Sequence, residues 1–179
     1  MEHRLDYSIA LLERTPGALD ELLRGLPAEW TDANEGGDSW GPREIVAHLA
    51  HADRTDWMPR ARHLLEFGET QPFPPFDRLG QRKAMEGKSL VEVLEDFAAI
   101  RAASLDELRA LNPGSAELER RGTHPALGPV TLGQLLATWA AHDLTHLHQI
   151  SRVMAQQYRE AVGPWSQFLG VMQCGGHGG

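Results

Sequence analysis

The sequence predicts an all-α protein, a four-helix bundle with long connections. Apolar residues recur at helical spacing in four stretches, whereas alternation of β-branched with polar residues never lasts more than a few positions. Two of these stretches begin with a Ser or Thr that is followed three residues later by Glu or Gln, which is typical of helix N-termini. At roughly 150 residues per domain, the 179 residues predict one domain at 1–172 and a flexible glycine-rich tail at 173–179.

The first helix is predicted to be interrupted. Leu5, Ile9 and Leu12 lie on one helical face, and Thr15-Pro16 then matches an N-cap followed by the first residue of a new helix. We therefore expect a break or kink near Thr15. Residues 27–41 are rich in turn-forming residues and predict a loop.

The second helix is predicted to run from Pro42 to about Phe67. Proline is well tolerated in the first turn of a helix, so Pro42 suits this start. Pro59 lies inside the helix and should kink or split it. The following residues, 68–87, are rich in Pro and Gly and predict a long loop, and loops of this length in compact domains are often functional.

The third and fourth helices are predicted at 89–111 and 131–158. Each starts with a capping box, in which the N-cap residue and the third helical residue bond to each other's backbone N–H through their side chains. The pairs are Ser89 with Glu92 and Thr131 with Gln134. Between these helices, residues 115–130 are irregular, with a short turn or hairpin at 123–130.

Composition argues against several classes of function. The formal charge of −8 disfavours nucleic-acid binding, which needs basic surfaces. The single Cys excludes a disulfide framework and a Cys-based zinc or iron–sulfur site, so any metal must be held by His and carboxylates. The chain has no apolar run of about 18 residues and no apolar signal-peptide segment, so we expect a cytoplasmic protein that does not bind membranes.

The fourth helix contains a pair of inward-facing histidines. With about 100° of rotation per residue, His142 and His146 fall in or at the edge of the apolar face that includes Trp139. Two His at i and i+4 can bind one divalent metal ion. Asp143 also falls inward, where a carboxylate can accept the N–H of a ligating imidazole. Hydrogen-bonded core histidines explain the same spacing, and this alternative stays open.

The second helix offers a third histidine. His48 falls at its core edge, and it meets His142 and His146 if the two helices are neighbours. Three His around one metal ion with an open position are the pattern of a catalytic site. Asp56, an inward carboxylate, and His51, on the flank, are candidates for contact with the metal ligands or with the substrate.

The remaining histidines and the cysteine are predicted to have no role in this site. We expect these histidines on the surface or in loops, and we expect Cys174 to be an ordinary exposed thiol. The histidines in question are His3, His63, His124, His148 and His177.

Two segments of the chain resemble the DinB/YfiT-like metalloenzyme superfamily. Residues 39–49, SWGPREIVAHL, resemble the start of that family's second helix, where a Trp and a helix cap precede a His. Residues 130–150 resemble its last helix, in which His-x-x-x-His is followed by Gln-Ile. Gly41 replaces the family's usual Ser or Thr cap. The resemblance covers roughly residues 5–160.

The resemblance implies a four-helix bundle that binds a divalent metal ion, zinc or nickel, through His48, His142 and His146. Family members of known activity are transferases or isomerases that use bacillithiol, mycothiol or glutathione-type thiols. The resemblance therefore implies a small-molecule thiol and an electrophile as substrates, and it favours a homodimer. Arg60 and Arg62 are candidates for binding a carboxylate of the thiol.

Several functions follow from such a centre. A divalent ion held by three His with an open position deprotonates a bound thiol or lowers the pKa of bound water. Metal-dependent thiol S-transfer is the first hypothesis, and metal-dependent hydrolysis ranks behind it. The main alternative is a non-catalytic bundle protein of the stress response, with a dry core around the histidines. A DNA-repair role is disfavoured by the acidic charge.

Overall fold

The computed structural model describes residues 4–174 and confirms an all-α four-helix bundle. Its helices are α1 (Leu5–Leu12), α2 (Thr15–Leu23), α3 (Ala28–Thr31), α4 (Pro42–Ala52), α5 (Met58–Phe67), α6 (Gly80–Ala84), α7 (Leu90–Leu111), α8 (Ser115–Leu118), α9 (Leu132–Gln156) and α10 (Gly170–Gln173). Its strands are β1 (Arg121–His124) and β2 (Gly128–Thr131). The predictions for His3, His177 and residues 175–179 of the tail fall outside the described residues. Within residues 4–174, no helix is both long enough and apolar enough to cross a bilayer.

The predicted helix starts are confirmed in three of four places. Ser89 and Thr131 each cap a long helix, and the backbone N–H of each donates to the side chain three residues later, at 2.8 Å and 2.9 Å. Pro42 lies at the first position of α4. The break near Thr15 is also confirmed, but Thr15 is the first residue of α2 and not its cap. Its hydroxyl donates back to the Leu11 carbonyl.

The second helix is interrupted just before Pro59, close to the kink or split that the proline predicted. A π-helical turn, Asp53–Trp57, joins α4 to α5 just before the proline. Proline cannot donate a backbone hydrogen bond, and its ring crowds the carbonyl four residues earlier. A π turn inserts one extra residue and changes the hydrogen-bond register there, so the helix continues past Pro59.

The connections are more ordered than predicted. The expected loop at 27–41 contains α3, the loop at 68–87 contains α6, and α10 with the preceding 3-10 turn, Gly163–Phe168, follows α9. The hairpin is confirmed, with β1 and β2 antiparallel and Gly122 opposite Val130. Phe73 is buried and its N–H donates to the Thr123 carbonyl at 2.9 Å, so the long loop is attached to the hairpin.

The core consists of two apolar clusters stacked along the bundle. One contains residues of α1, α5, the start of α9 and the end of α7; the other contains residues of α2, α4, the start of α7 and the end of α9. A polar layer separates the two clusters, because Asp53, Arg101 and Asp143 occupy buried positions between apolar residues of their own helices. Along α9, this layer adjoins the cluster of histidines, since Asp143 directly follows His142 and Arg101 contributes to the lowered pKa of that imidazole.

The polar layer is a buried ion-pair network centred on Arg101. Its guanidinium donates to Asp53 at 2.6 Å and to Asp143 at 2.6 Å, and also to the Leu12 carbonyl. The Trp139 indole N–H donates to Asp53. Burial raises the pKa of Asp53 to about 6 although Arg101 lowers it, since one guanidinium is shared by two carboxylates. Burial disfavours the charged form of Arg101, but these carboxylates raise its pKa.

Candidate metal centre

Three imidazoles from two helices meet at one point of the bundle. His48 comes from α4, and His142 and His146 come from successive turns of α9. The Nε2 atom of His142 lies 3.2 Å from that of His48 and 3.1 Å from that of His146. Each of the three residues offers one nitrogen within 4.8 Å of the others. The structure therefore brings together the three histidines that the sequence singled out.

The spacing of these nitrogens suits a small divalent cation. Nitrogen ligands at about 2.0–2.1 Å from a tetrahedral ion lie about 3.3 Å from one another. The two closest separations here, 3.1 Å and 3.2 Å, are near this value. The ligand set is entirely imidazole, which is compatible with zinc, nickel, copper and iron.

One imidazole is oriented by its own helix. The Nδ1–H of His146 donates to Oε1 of Gln149 at 2.7 Å, which leaves the Nε2 lone pair of His146 facing the other two rings. Asp143, a candidate for orienting an imidazole, accepts from Arg101 in the structure. The Nδ1 atoms of His48 and His142 are buried and have no hydrogen-bond partner among the described residues.

The surroundings keep two of the imidazoles neutral. Burial lowers the pKa of His48 to about 3 and that of His142 to about 2, with smaller contributions from neighbouring charges. The burial comes partly from two indoles: Trp40 packs on His48 at 4.8 Å between ring centroids, and Trp57 on His142 at 5.1 Å. A neutral imidazole is the form that binds a metal ion.

The cluster borders a cavity of about 560 Å³. This volume is in the range of small-molecule sites. The described residues that line it include neither Cys, Ser nor Lys. The lining residues other than the three histidines are Ala52, Asp56, Trp57, Arg60, Pro75, Phe76, Arg78, His124, Pro125, Ala126, Thr145 and Gln149.

Of the other four candidate residues, Asp56 and Arg60 line the cavity, whereas Arg62 and His51 do not. Asp56 is the carboxylate of the lining, and Arg60 pairs with it at 2.7 Å. Burial raises the pKa of Asp56 and lowers that of Arg60. Arg62 does not line the cavity, and its exposed side chain pairs with Glu107.

His51 has a different place from the one expected. It is buried but does not line the cavity, and its Nε2–H donates to the Asp77 carbonyl at 3.0 Å. Its ring also packs on Phe76 at 5.4 Å. His51 therefore fixes the loop that carries Phe76 and Arg78, both of which line the cavity.

Sequence reasoning missed Arg78 and His124. His124 was expected in a loop or on the surface, but it lies in β1 and lines the cavity. The hairpin prediction alone could have drawn attention to it, since a hairpin between two bundle helices can cover one end of the core. His148 was expected to face water and is half-buried away from the cavity. Cys174 is exposed, as predicted.

Comparison with known proteins confirms the resemblance. The family model described as the DinB superfamily matches residues 11–150, which is most of the chain.

The chain belongs to the DinB superfamily.

Two further likenesses agree with this membership. A protein of Oceanobacillus iheyensis named "Putative metal-dependent hydrolase" is 25% identical over 142 residues, which cover 78% of this chain and 80% of that protein. The structure of YfiT from Bacillus subtilis, described as "a probable metal-dependent hydrolase with an unusual four-helix bundle topology", matches with a TM-score of 0.65 and 21% identity. That match covers 85% of this chain and 88% of YfiT, and it supports the DinB-like fold.

Proposed function

We propose that this DinB-superfamily protein is a metal-dependent enzyme in which His48, His142 and His146 hold a divalent ion, zinc or nickel. The observation that carries the proposal is the convergence of three Nε2 atoms beside a substrate-sized cavity. A bound ion in such a centre would act as a Lewis acid that makes a small nucleophile reactive near neutral pH.

The open cavity supports catalysis over a purely structural role. A non-catalytic bundle is expected to have a dry, closed core around its histidines. Here His142 and His146 border a cavity of about 560 Å³ instead.

Asp56 lines the same cavity. We propose that its carboxylate accepts the proton that the nucleophile loses.

The nucleophile must enter from solution. Among the described residues that line the cavity, none carries a thiol, an amine or a serine hydroxyl, and the Thr145 hydroxyl donates to the Ala141 carbonyl. Cys174 lies outside the cavity. The incoming nucleophile is therefore water or a small thiol.

We propose thiol S-transfer as the reaction, on the ground of the family's thiol-dependent members. A sulfur–carbon bond forms, the bond from that carbon to its leaving group breaks, and the thiol proton passes to Asp56 and then to solvent. Hydrolysis is the second candidate, and it is favoured by the names of the Oceanobacillus and Bacillus relatives.

Metal binding is tested first. The purified chain should bind about one zinc or nickel ion, measured by elemental analysis and calorimetric titration. His142→Ala should lose at least a hundredfold in affinity, because one of three ligands is removed. His148→Ala on the same helix is the matched control and should bind as the wild type does. A wild-type chain with no affinity for either ion would contradict the proposal.

The reaction type is tested on the metal-loaded protein. 1-Chloro-2,4-dinitrobenzene with glutathione, cysteine, bacillithiol or mycothiol should give a thioether and chloride faster than the same mixture with His142→Ala. 4-Nitrophenyl acetate without thiol tests hydrolysis. Thiol-independent ester cleavage without thioether formation would favour the hydrolase.

A further inference from the structure

The cavity carries positive charge in an acidic protein. Among the described residues, its lining contains Arg60 and Arg78 against the single carboxylate of Asp56, which makes one net positive charge before any metal is bound. The whole chain has a formal charge of −8. A cavity of opposite sign to the rest of the molecule attracts anionic ligands.

Arg78 is held at the cavity by a fixed loop. Phe76 packs on His48 and on His51, with ring centroids 5.9 Å and 5.4 Å apart, and the Asp77 carbonyl accepts from His51. Arg78 follows directly and has no ion pair among the described residues. Its charge is close enough to His48 to contribute to the lowered pKa of that imidazole.

Arg60 is preorganised in the cavity lining. Its Nε atom forms an ion pair with Asp56 at 2.7 Å, and its guanidinium lies over the Phe73 ring at 5.3 Å. These contacts fix the planar group in one position while it remains part of the lining. A guanidinium held in this way is suited to the two oxygens of a carboxylate.

His124 is set as a neutral hydrogen-bond donor. Its Nδ1 atom accepts from the backbone N–H groups of Ala126 and Leu127 at 3.1 Å and 3.2 Å, so the ring proton is on Nε2. Burial, and to a smaller extent the charge of Arg60, lower its pKa and keep it neutral. The ring therefore adds an N–H donor and no charge to the cavity.

We propose that Arg60, Arg78 and His124 form an anion-binding wall that selects a substrate with one carboxylate and an apolar body. Proline, alanine and aromatic side chains make up much of the remaining lining, which suits the apolar body. The single net charge of the wall and Asp56 matches one carboxylate better than a phosphate dianion. The inference rests on the proposed function only in taking this cavity as the substrate site.

The test compares ligands that share a phenyl ring and differ in their charged group. Calorimetry on the full chain, both with chelator and loaded with zinc, would use 4-phenylbutyrate, its neutral amide and phenyl phosphate. In the chelated protein we expect the carboxylate to bind at least tenfold more tightly than the amide. Arg78→Gln should reduce this preference to threefold or less. Arg62→Gln, an exposed arginine of α5 outside the cavity, is the matched control and should keep it.

Each result decides the inference. The proposal of an anion-binding wall is overturned if the wild type shows no preference for the carboxylate over the amide, or if Arg78→Gln keeps that preference unchanged. It is also overturned if phenyl phosphate binds as tightly as the carboxylate. Thermal melting identifies any variant that fails to fold, and Arg78→Lys, which keeps the charge, should then retain most of the preference. If the preference is present but zinc does not bind, the wall stands and the proposed metal chemistry fails.

Discussion

Gln149 is the residue that holds His146 in its orientation. Its side-chain oxygen accepts the Nδ1–H of His146 at 2.7 Å, one turn further along the same helix. Outer contacts of this kind fix the tautomer and the direction of a ligating imidazole. The Nδ1 atoms of His48 and His142 have no such partner among the described residues. The Gln149 contact is therefore the one side-chain hydrogen bond found there that orients a ligand of the candidate metal centre.

We predict that Gln149→Leu weakens zinc binding by about 10- to 100-fold, the effect typical of removing such a contact. Gln149→Glu should keep or raise the affinity, since it preserves the acceptor. Competition with a zinc chelator of known affinity measures both variants. Ser151→Ala, an exposed position on α9, is the control. Wild-type affinity in Gln149→Leu would show that the contact does not orient the ligand.

Arg101, in contrast to Gln149, does not line the cavity, and we expect it to affect the stability of the bundle. We predict that Arg101→Met lowers the free energy of unfolding by about 3–5 kcal/mol, because it leaves two buried carboxylates without their partner. Arg109→Met, an exposed arginine of the same helix, should cost less than about 1 kcal/mol. Urea unfolding measures both. The triple variant with Asp53→Asn and Asp143→Asn should recover part of the loss, and an unaffected Arg101→Met would contradict this account.

At the scale of elements, the loop before α6 depends on a close approach of two segments. A Cβ atom on Gly80 would lie 2.5 Å from Nε2 of His51. That ring cannot easily move, because it is buried, donates to Asp77 and packs on Phe76. The absence of a side chain at Gly80 therefore allows α6 to pack on α4 and places the loop that carries Arg78.

We predict that Gly80→Ala lowers stability by about 1–3 kcal/mol, the usual cost of overpacking, and weakens carboxylate binding as well. Gly17→Ala is the matched control: it lies in α2, where a Cβ would meet nothing within 4 Å. Its stability should rise by about 0.5 kcal/mol, because alanine favours a helix over glycine. Thermal melting measures the stability of each variant, and calorimetry measures its affinity for the carboxylate. Equal stability and equal affinity of the two variants would refute the steric argument.

The whole molecule shows which features a sequence can predict. Capping boxes and apolar periodicity are local, so α7, α9 and the inward directions of His142 and His146 were predicted correctly. The pairing of Asp143 with Arg101 is a contact between helices, and helical periodicity says only that both face inward. The approach of His124 to the cavity also depends on tertiary packing, which no spacing along one chain encodes.

The buried polar layer gives the whole molecule a pH dependence. Burial raises the pKa of Asp53 from its ordinary 3.8 to about 6, so between these values the folded chain binds a proton that the unfolded chain has released. Stability from this carboxyl is therefore fully present below about pH 3.8 and is lost as the pH rises through about 6. Asp53→Asn keeps an acceptor for the Trp139 N–H but has no charge to bury.

We predict that the unfolding free energy of Asp53→Asn, relative to the wild type, rises by roughly 2 kcal/mol between pH 4 and pH 7, because most of a shift of about two pKa units is expressed in this range and each pKa unit corresponds to about 1.4 kcal/mol. Urea unfolding of both chains in the presence of chelator, at several pH values, measures the difference and cancels groups that titrate alike in the two proteins. Arg101 remains charged throughout, since its pKa is raised. A difference that stays constant over this range would mean that folding leaves the pKa of Asp53 unchanged, with Arg101 compensating its burial completely.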